Sequence, residues 1–459
     1  MDRIQPETAA VSGQIIAPQN APKPEDPAAE RVPFTALPRE RIGAFAMYAL
    51  AYLYIDKLLL IPRGDPHTPW WVAAFVVAFV ALTEYLHRET PRSRESWVWL
   101  GCLLTVAAAI ALGRCHAWYE QDAAWDVTSR VPLFLHIFAV WWVLSRSGAL
   151  LEGESGRLLP LDALDGFVAF PFRHFFLRLR TVGFALSRLR GAERREKPKV
   201  EAVLWSAVIS AAALGLLAWA TGLLMRADSG FAALLSRFVN LFRFEWSVDL
   251  SGLLSRFLLS LPVGAYLFGL LDGTLREDKS ALRRRAENVA EQMQALRGVP
   301  ERVWLVLLAL FCALYALFFA VQGQYLFGAF TGAPAEGFSV AEYARQGFFE
   351  LCKVMAVNFA LLWLVTRSSK VDVRQQKAAR ALCLALLAES FLLSVVAFSK
   401  LYLYIDLFGF TPRRLQSTWL VCVLAFGCGC AAWSLMRSEK TFRVWMMFGA
   451  VTLSLLCLY

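Results

Sequence analysis

A long apolar run ends at Tyr402-Leu403-Tyr404-Ile405-Asp406, and Pro412-Arg413 follows a few residues later. The same phrase occurs once before, at Tyr52-Leu53-Tyr54-Ile55-Asp56, where Pro62-Arg63 follows. Each copy places tyrosines where an aromatic belt would meet a membrane surface, and then adds a carboxylate and a proline turn. We interpret both copies as the same end of two membrane-spanning helices.

The repeated phrase has two explanations. It would mark a parallel internal repeat if the chain were built from duplicated halves, as some transporters are. The flanking spans show no accompanying similarity, however, which favours one local end-motif used twice.

The composition places this 459-residue chain in a membrane. It is 58% hydrophobic and 14% aromatic, well above the apolar share of soluble domains. Apolar runs near the spanning length of about 20 residues recur throughout. The fold class expected is all-α, a polytopic transmembrane helical bundle. We place eleven spans, at roughly 43–62, 70–86, 97–113, 131–145, 201–225, 253–273, 303–322, 347–366, 380–402, 415–436 and 443–459.

The distribution of basic residues predicts how the chain is threaded. With the N-terminus inside, 34 of the 47 lysines and arginines fall in the segments between spans on the inner side. Such a bias sets membrane orientation, so the N-terminus is predicted inside and the C-terminus outside. The net charge of +10 is then a topology determinant, and no nucleic-acid partner is expected.

The chain divides into four predicted regions. Residues 1–41 are rich in proline and too polar to fold, which indicates a disordered cytoplasmic tail. They lack the pattern of a signal peptide, so the first span is expected to act as the insertion signal. A four-span unit over 42–145, a basic amphipathic cytoplasmic loop over 146–200 and a seven-span unit over 201–459 follow.

The loop over 146–200 interleaves aromatic residues with arginines. This is the composition of an interfacial helix held by anionic lipid headgroups, or equally of a helix that covers the inner ends of the spans. The predicted headgroup contacts are Arg173, Arg178, Arg180, Arg188 and Arg190.

Signatures of cofactor chemistry are missing from the sequence. It contains no P-loop, Gly-rich dinucleotide turn, HExxH or GxSxG pattern. The pair Cys428 and Cys430 has no accompanying His or Cys pair, so helix packing explains it better than a metal. We therefore expect no cofactor, no metal and no catalytic residue, although an enzyme is not excluded.

Ionisable side chains at membrane depth are costly, so each suggests a function. On the predicted threading Glu389 lies about 15 Å from the inner end of its span, near mid-membrane. The others fall in the outer halves of their spans: Asp56, Lys57, Arg256, Glu350, Lys353, Lys400 and Asp406. They predict either an outward-opening polar cavity or separate groups that snorkel to the interface.

The positions of these groups along the chain predict how some of them are arranged. Glu350 and Lys353 lie three residues apart and can pair along one helix. Asp56 and Lys57 are adjacent and need partners on other helices. The candidate partners for Asp56, Glu350 and Asp406 are Lys57, Arg256, Lys353 and Lys400. Asp56 and Asp406 are expected at matching heights on neighbouring parallel helices. Glu389 would serve either a proton or substrate pathway, or a structural hydrogen bond.

The region 200–459 resembles a family of bacterial multipass membrane proteins. The similar stretches are Leu261-Pro262-Val263-Gly264-Ala265-Tyr266-Leu267-Phe268-Gly269, Gln324-Tyr325-Leu326-Phe327-Gly328, Ala341-Glu342-Tyr343-Ala344-Arg345-Gln346-Gly347-Phe348-Phe349-Glu350, and Tyr404-Ile405-Asp406 with Gly409, Thr411 and Arg414. The family is a domain of unknown function, number four-one-seven-three, or a close neighbour. The resemblance implies a bacterial inner-membrane location and adds weight to Glu342, Arg345, Glu350 and Asp406, but it supplies no activity.

Three functions remain in view. The first is a non-catalytic protein that binds a partner or ligand through the outward-facing polar patch, in envelope sensing or assembly. The second is a secondary transporter that uses Glu389, Asp56 and Asp406. The third is a membrane-embedded lipid-linked transferase, weakened by the missing acid–base constellation. The sequence does not predict an oligomeric state.

Overall fold

The computed structural model describes residues 34–59, 68–115, 126–189, 248–295, 297–327, 340–437 and 441–459. The predicted tail over 1–33 and the predicted span over 201–225 lie outside these residues. Ala36–Tyr459 form one unit by their contacts, and it is described below. Helix α1 begins at Pro38, so the last residues assigned to the tail are helical.

The described part of the chain consists of helices joined by turns and loops, with one isolated bridge between Val299 and Ser369. The helices are α1 Pro38–Tyr54, α2 Thr68–Leu86, α3 Arg94–Ala111, α4 Asp126–Ser147, α5 Leu159–Leu164, α6 Phe170–Arg173, α7 Leu177–Leu189, α8 Val248–Arg276, α9 Lys279–Ala295, α10 Glu301–Phe327, α11 Val340–Ser368, α12 Lys377–Phe408, α13 Pro412–Arg437 and α14 Phe442–Leu456. Two π-helical segments, Ile55–Leu59 and Asp165–Ala169, continue α1 and α5.

The helix ends follow local sequence signals. Pro38 opens α1 at a position where its missing N–H costs nothing, and Glu40 accepts the N–H of Leu37 at 3.0 Å. Ser93 caps α3 by accepting the N–H of Ser96 at 3.2 Å. Gly409 ends α12 with a φ of 78°, which glycine adopts without strain.

Eight described helices are long and apolar enough to cross a membrane, and the fold class predicted from sequence is confirmed. They are α1, α2, α3, α8, α10, α11, α12 and α13. Two shorter apolar helices, Val131–Ser147 and Phe442–Leu456, coincide with the predicted spans 131–145 and 443–459. The count of eleven spans and the threading stay predictions.

The helices pack in two groups. In the first, α8 packs against α1, α4, α6 and α7, while α3 packs against α2 and α4. In the second, α12 packs against α10, α11 and α13, and α14 packs against α13. The predicted division into a four-span unit over 42–145 and a seven-span unit over 201–459 stays a prediction, although α8 packs against helices of the N-terminal part. Hydropathy counts helices but does not show which of them are neighbours.

The second group has its own apolar core. It is centred on residues at the α10, α11 and α12 contacts, such as Leu308, Met355, Cys383, Leu386 and Val396, all fully buried. The two groups meet where α14 packs against α3. Arg443 of α14 pairs there with Glu95 of α3 at 3.3 Å and with Glu154.

A buried arginine lies at the end of α4 in the first group and joins several of its segments. Arg146 at the end of α4 is 4% exposed, and it pairs with Glu84 at 3.0 Å. Its guanidinium also donates to the carbonyls of Thr90 and His87. Burial lowers the pKa of His87 to about 4, so the ring is neutral and its Nδ1–H donates to the Thr83 carbonyl.

The described part of the basic loop, residues 146–189, packs against the long helices. Helices α6 and α7 contact α8, and α7 also contacts α1, which favours the helix that covers other helices over the one that lies on the surface. Arg178 is only 1% exposed, its guanidinium lies 4.2 Å from the Tyr48 ring centre, and it donates to the Leu261 carbonyl at 3.1 Å. Arg173 pairs with Glu277 at 2.9 Å.

Two of the predicted headgroup contacts are thus engaged with protein, and for the buried Arg178 the prediction is wrong. Arg180 and Arg188 are exposed and Arg190 lies outside the described residues. For these three residues, contact with anionic lipid stays a prediction.

The predicted threading can be tested with topology reporters. Alkaline phosphatase fused after Tyr459 should be active, because the enzyme folds only outside the cytoplasm. The same enzyme fused after Ser368, in the connection between α11 and α12, should be inactive. Green fluorescent protein fused at the two positions should give the opposite pattern, and a reversed result at both positions would overturn the threading.

Candidate functional site

Asp56 lies in the π-helical segment that continues α1. It has an ion-pair partner, as a carboxylate within a membrane span needs. Its Oδ1 accepts from Arg256 of α8 at 2.5 Å, and its Oδ2 lies 3.4 Å from Lys57 Nζ. Its side chain is 13% exposed. Arg256 is one of the expected partners on another helix, whereas the contact with the adjacent Lys57 was not expected. This cluster carries one negative and two positive charges.

Asp406, by contrast, is exposed near the end of α12. Next to it a compact turn forms, in which Arg414 lies 4.1 Å from the Tyr404 ring centre and donates to the Gly409 carbonyl. These residues of the second copy of the phrase thus build a helix end. The contacts favour the local end-motif over an internal repeat.

Asp56 and Asp406 belong to different groups of helices. The end of α1 packs against α2 and α8, whereas α12 packs against α10, α11 and α13. The expectation that the two aspartates sit on neighbouring parallel helices is therefore wrong. A single polar patch containing both does not form among the described residues.

Glu350 lies on α11 and Lys400 on α12, and these two helices pack against each other. Lys400 is 3% exposed, and the charge of Glu350 acts on it directly. Lys353 is exposed on the same helix as Glu350. The expected pairing of Glu350 with Lys353 along one helix stays a prediction.

Two further predicted residues lie in α11. Glu342 and Arg345 fall in its first turns, and their side chains lie outside the described residues. Their assignment to a site stays a prediction.

Glu389 adjoins a hydrogen-bonded network that joins three helices. Tyr315 of α10 donates to Asn358 Oδ1 of α11 at 2.7 Å, and Asn358 Nδ2 donates to Ser390 Oγ of α12 at 2.9 Å. Cys312 of α10, one turn before Tyr315, donates its thiol hydrogen to the Leu382 carbonyl of α12 at 3.6 Å. Glu389 Oε2 is buried and has no hydrogen-bond partner among the described residues.

The network lies deep in both helices. Asn358 precedes the end of α11 by ten residues and Glu389 follows the start of α12 by twelve, which places them about 15 Å and about 18 Å from those ends. The mid-membrane position of Glu389 stays a prediction. We call this group, Cys312, Tyr315, Asn358, Glu389 and Ser390, the central polar cluster.

Sequence reasoning identified Glu389 but missed Tyr315, Asn358 and Ser390. The available signal was Asn358, a lone amide inside an apolar span, because such a side chain needs a partner on another helix. Tyr315 and Ser390 gave no such signal, since tyrosine and serine are common in spans.

In the part of the chain that the structure describes, no set of side chains is arranged for metal binding or thiol chemistry. No group of three or more His, Cys, Asp or Glu side chains there is placed to hold a metal ion. All nine cysteines are free. His136, the histidine at depth, lies 3.4 Å from the Tyr266 hydroxyl.

Long apolar helices with internally paired ionisable side chains define a multipass α-helical membrane protein. Residues 74–459 match the family described as Domain of unknown function (DUF4153), and because the match spans most of the chain, the protein belongs to this family. Comparison with curated proteins and with solved structures finds no match.

The family match corrects the resemblance in two respects. The number is 4153, not four-one-seven-three, and the match begins at residue 74 where the resemblance was confined to 200–459. Most of the N-terminal third therefore belongs to the family region. The first copy of the repeated phrase, at Tyr52–Asp56, still lies outside it.

A double-mutant cycle tests the separation of the two aspartates. For Asp56→Asn and Arg256→Gln we expect a coupling of about 1 kcal/mol in the free energy of unfolding, because the pair is direct but partly exposed. For Asp56→Asn and Asp406→Asn we expect additivity, since these residues lie in different helix groups. Denaturant titration of the protein in mixed micelles measures both, and an equal coupling in the second cycle would show that the aspartates share a site.

Proposed function

We propose that this protein is a non-catalytic integral protein of the bacterial inner membrane that binds a ligand or a protein partner within the bilayer. The binding site is the seam between α11 and α12, at the central polar cluster. Envelope sensing or assembly are the roles that such a protein would serve. The multipass helical fold and the family membership support the membrane location.

The observation that carries this proposal is Glu389 Oε2. Buried polar atoms are normally hydrogen-bonded, and leaving one without a partner costs free energy. The neighbouring Asn358 and Ser390 are paired with each other, so this oxygen is the open position of the cluster. A ligand with a hydrogen-bonding group would complete it.

Its depth also defines the chemical state in which Glu389 would bind. An ionised carboxylate near mid-membrane needs a cation, and Cys312 and Tyr315, the groups around it, are neutral. We therefore assign Glu389 the neutral acid form, which both donates and accepts a hydrogen bond. A polar, uncharged group or a cation that displaces the proton would match it.

A secondary transporter is the second candidate. It is favoured by the buried polar groups that continue from Glu389 along α12 toward the outer end, namely Ser390, Ser394, Ser399 and Lys400. Such a row places protonatable and hydrogen-bonding groups at successive depths, as a proton or solute path requires. Asp56 and Asp406 do not lie on this row, so Glu389 is the residue on which transport would depend.

The variant Glu389→Gln tests both candidates in the purified protein. We expect native mass spectrometry to show a small-molecule or protein adduct on the wild type that is lost from the variant, because the amide is a weaker hydrogen-bond donor than a neutral carboxyl group and cannot give up a proton to a cation. Glu287→Gln, an exposed glutamate on α9, serves as the matched control and should retain the adduct. Retention of the adduct by Glu389→Gln would make the cluster structural.

Vesicles loaded with a pH-sensitive dye separate binding from transport. If the protein only binds, an imposed membrane potential should give the same proton flux in wild-type and empty vesicles. Flux that the wild type supports and Glu389→Gln abolishes would instead establish the transporter.

A further inference from the structure

A second site lies at one end of the seam between α11 and α12, away from the central polar cluster. A cavity of about 340 Å³ opens between the ends of α11, α12, α13 and α14 that the predicted threading places inside. Its deep walls are apolar and include Phe359, Leu362, Leu387 and Trp445. The charged residues that line it are four arginines and one aspartate: Arg157, Arg297, Arg367, Arg374 and Asp372. Trp363 on its wall is 57% exposed, so the cavity adjoins the surface that faces lipid.

The backbone brings two of these arginines together. The N–H of Val299 donates to the Ser368 carbonyl at 3.2 Å, and the N–H of Lys370 donates to the Val299 carbonyl at 3.1 Å. Arg297 lies two residues before this bridge on one side, and Arg367 lies one residue before Ser368 on the other. The bridge therefore fixes both arginines at the same mouth.

The mouth has more positive charge than its neighbours neutralise. Arg157 lies 3.4 Å from Glu152, and Arg374 donates to Ser434 at 3.2 Å. Neither Arg297 nor Arg367 makes an ion pair with any described residue. The positive charges that act on Arg367 are those of Arg157, Arg297 and Arg374, and the opposing charge is that of Glu152.

There is room beside these arginines for a headgroup. A smaller cavity of about 90 Å³ is lined by Arg157, Arg297 and Arg367 together with residues of α9 such as Met293 and Gln294. The two cavities share their arginines, so a polar compartment adjoins an apolar one. An amphiphile has this same division.

We propose that this site binds an anionic phospholipid of the inner leaflet, with the phosphodiester on Arg297 and Arg367 and an acyl chain in the apolar cavity. Arginine matches phosphate oxygens through paired N–H donors, and basic pockets between helices on the cytoplasmic side favour anionic headgroups. The inference is independent of the function proposed for Glu389.

The depth of the cavity distinguishes a lipid from a soluble anion. Phe359 precedes Arg367 by eight residues of the same helix, so the apolar wall extends about 12 Å beyond the charged mouth. A free phosphate would use only the mouth and leave this wall empty. An acyl chain fills it and is already present in the surrounding bilayer.

Native mass spectrometry with added phosphatidylglycerol tests the assignment. We expect Arg367→Gln to weaken its binding about fivefold, and Arg297→Gln with Arg367→Gln to weaken it further, because each arginine contributes to headgroup attraction. Arg367→Lys should bind between the wild type and Arg367→Gln. Arg283→Gln, an exposed arginine on α9, is the control and should bind as the wild type does.

Two further arms separate lipid from phosphate. Ala431→Leu reduces the volume of the apolar cavity and leaves the arginines unchanged, so it should weaken phosphatidylglycerol binding. Phosphatidylcholine and inorganic phosphate should both bind the wild type more weakly than phosphatidylglycerol does. Equal binding of phosphatidylglycerol by wild type and Arg367→Gln would overturn the proposal. So would an undiminished affinity of Ala431→Leu, which would indicate a soluble-anion site.

Discussion

Polar groups in the hydrocarbon of a membrane must find their partners within the protein, because lipid tails offer none. Most of the buried ionisable groups described above obey this constraint through contacts between helices. Asp56 is held by Arg256, Arg146 by Glu84, and Glu95 by Arg443. Each of these contacts joins helices that are distant in sequence, so the same requirement that neutralises the charge also fixes which helices are neighbours.

The constraint explains how the two helix groups are joined. Glu95 has a side chain that is 1% exposed, and it accepts from the indole of Trp99, the N–H of Ser155 and the guanidinium of Arg443. A carboxylate so fully engaged resists displacement, and it ties α3 and the segment after α4 to α14. The arginine-lined cavity lies near this junction, since Trp445 and Phe442 of α14 also line it. This end of the helix bundle is therefore rich in both fixed and available positive charge.

The sequence predicted the individual helices but not which helices pack against each other. Ten of the predicted spans coincide with described helices because the need to fill a bilayer leaves a long apolar signature. The grouping of α8 with the N-terminal helices was missed, since hydropathy is the same whichever helix is adjacent. Arg178 was assigned to headgroups because an amphipathic pattern does not show whether lipid or protein covers the apolar side. The aromatic ring that lies over the Arg178 guanidinium is that of Tyr48, about 130 residues earlier in the chain.

In the candidate site, too, the sequence predicted some features and not others. The depth of Glu389 followed from its position in an apolar run, and its isolation was correctly seen as unusual. Its surroundings depend on where α10 and α11 pack, which no local pattern reveals, so Tyr315 and Ser390 were not predicted. The supposed partnership of Asp56 and Asp406 failed for the opposite reason, because identical local phrases describe identical helix ends and carry no information about proximity.

Infrared spectroscopy of the carboxyl group of Glu389 tests most directly whether the central polar cluster holds an open, neutral acid. The wild type in lipid should show a carbonyl-stretch band of a protonated carboxyl in apolar surroundings. That band should be absent from Glu389→Gln and retained in Glu287→Gln. A wild-type spectrum in which Glu389 contributes only carboxylate bands would mean that a cation or water already compensates it, and the account of the cluster as an open binding position would be wrong.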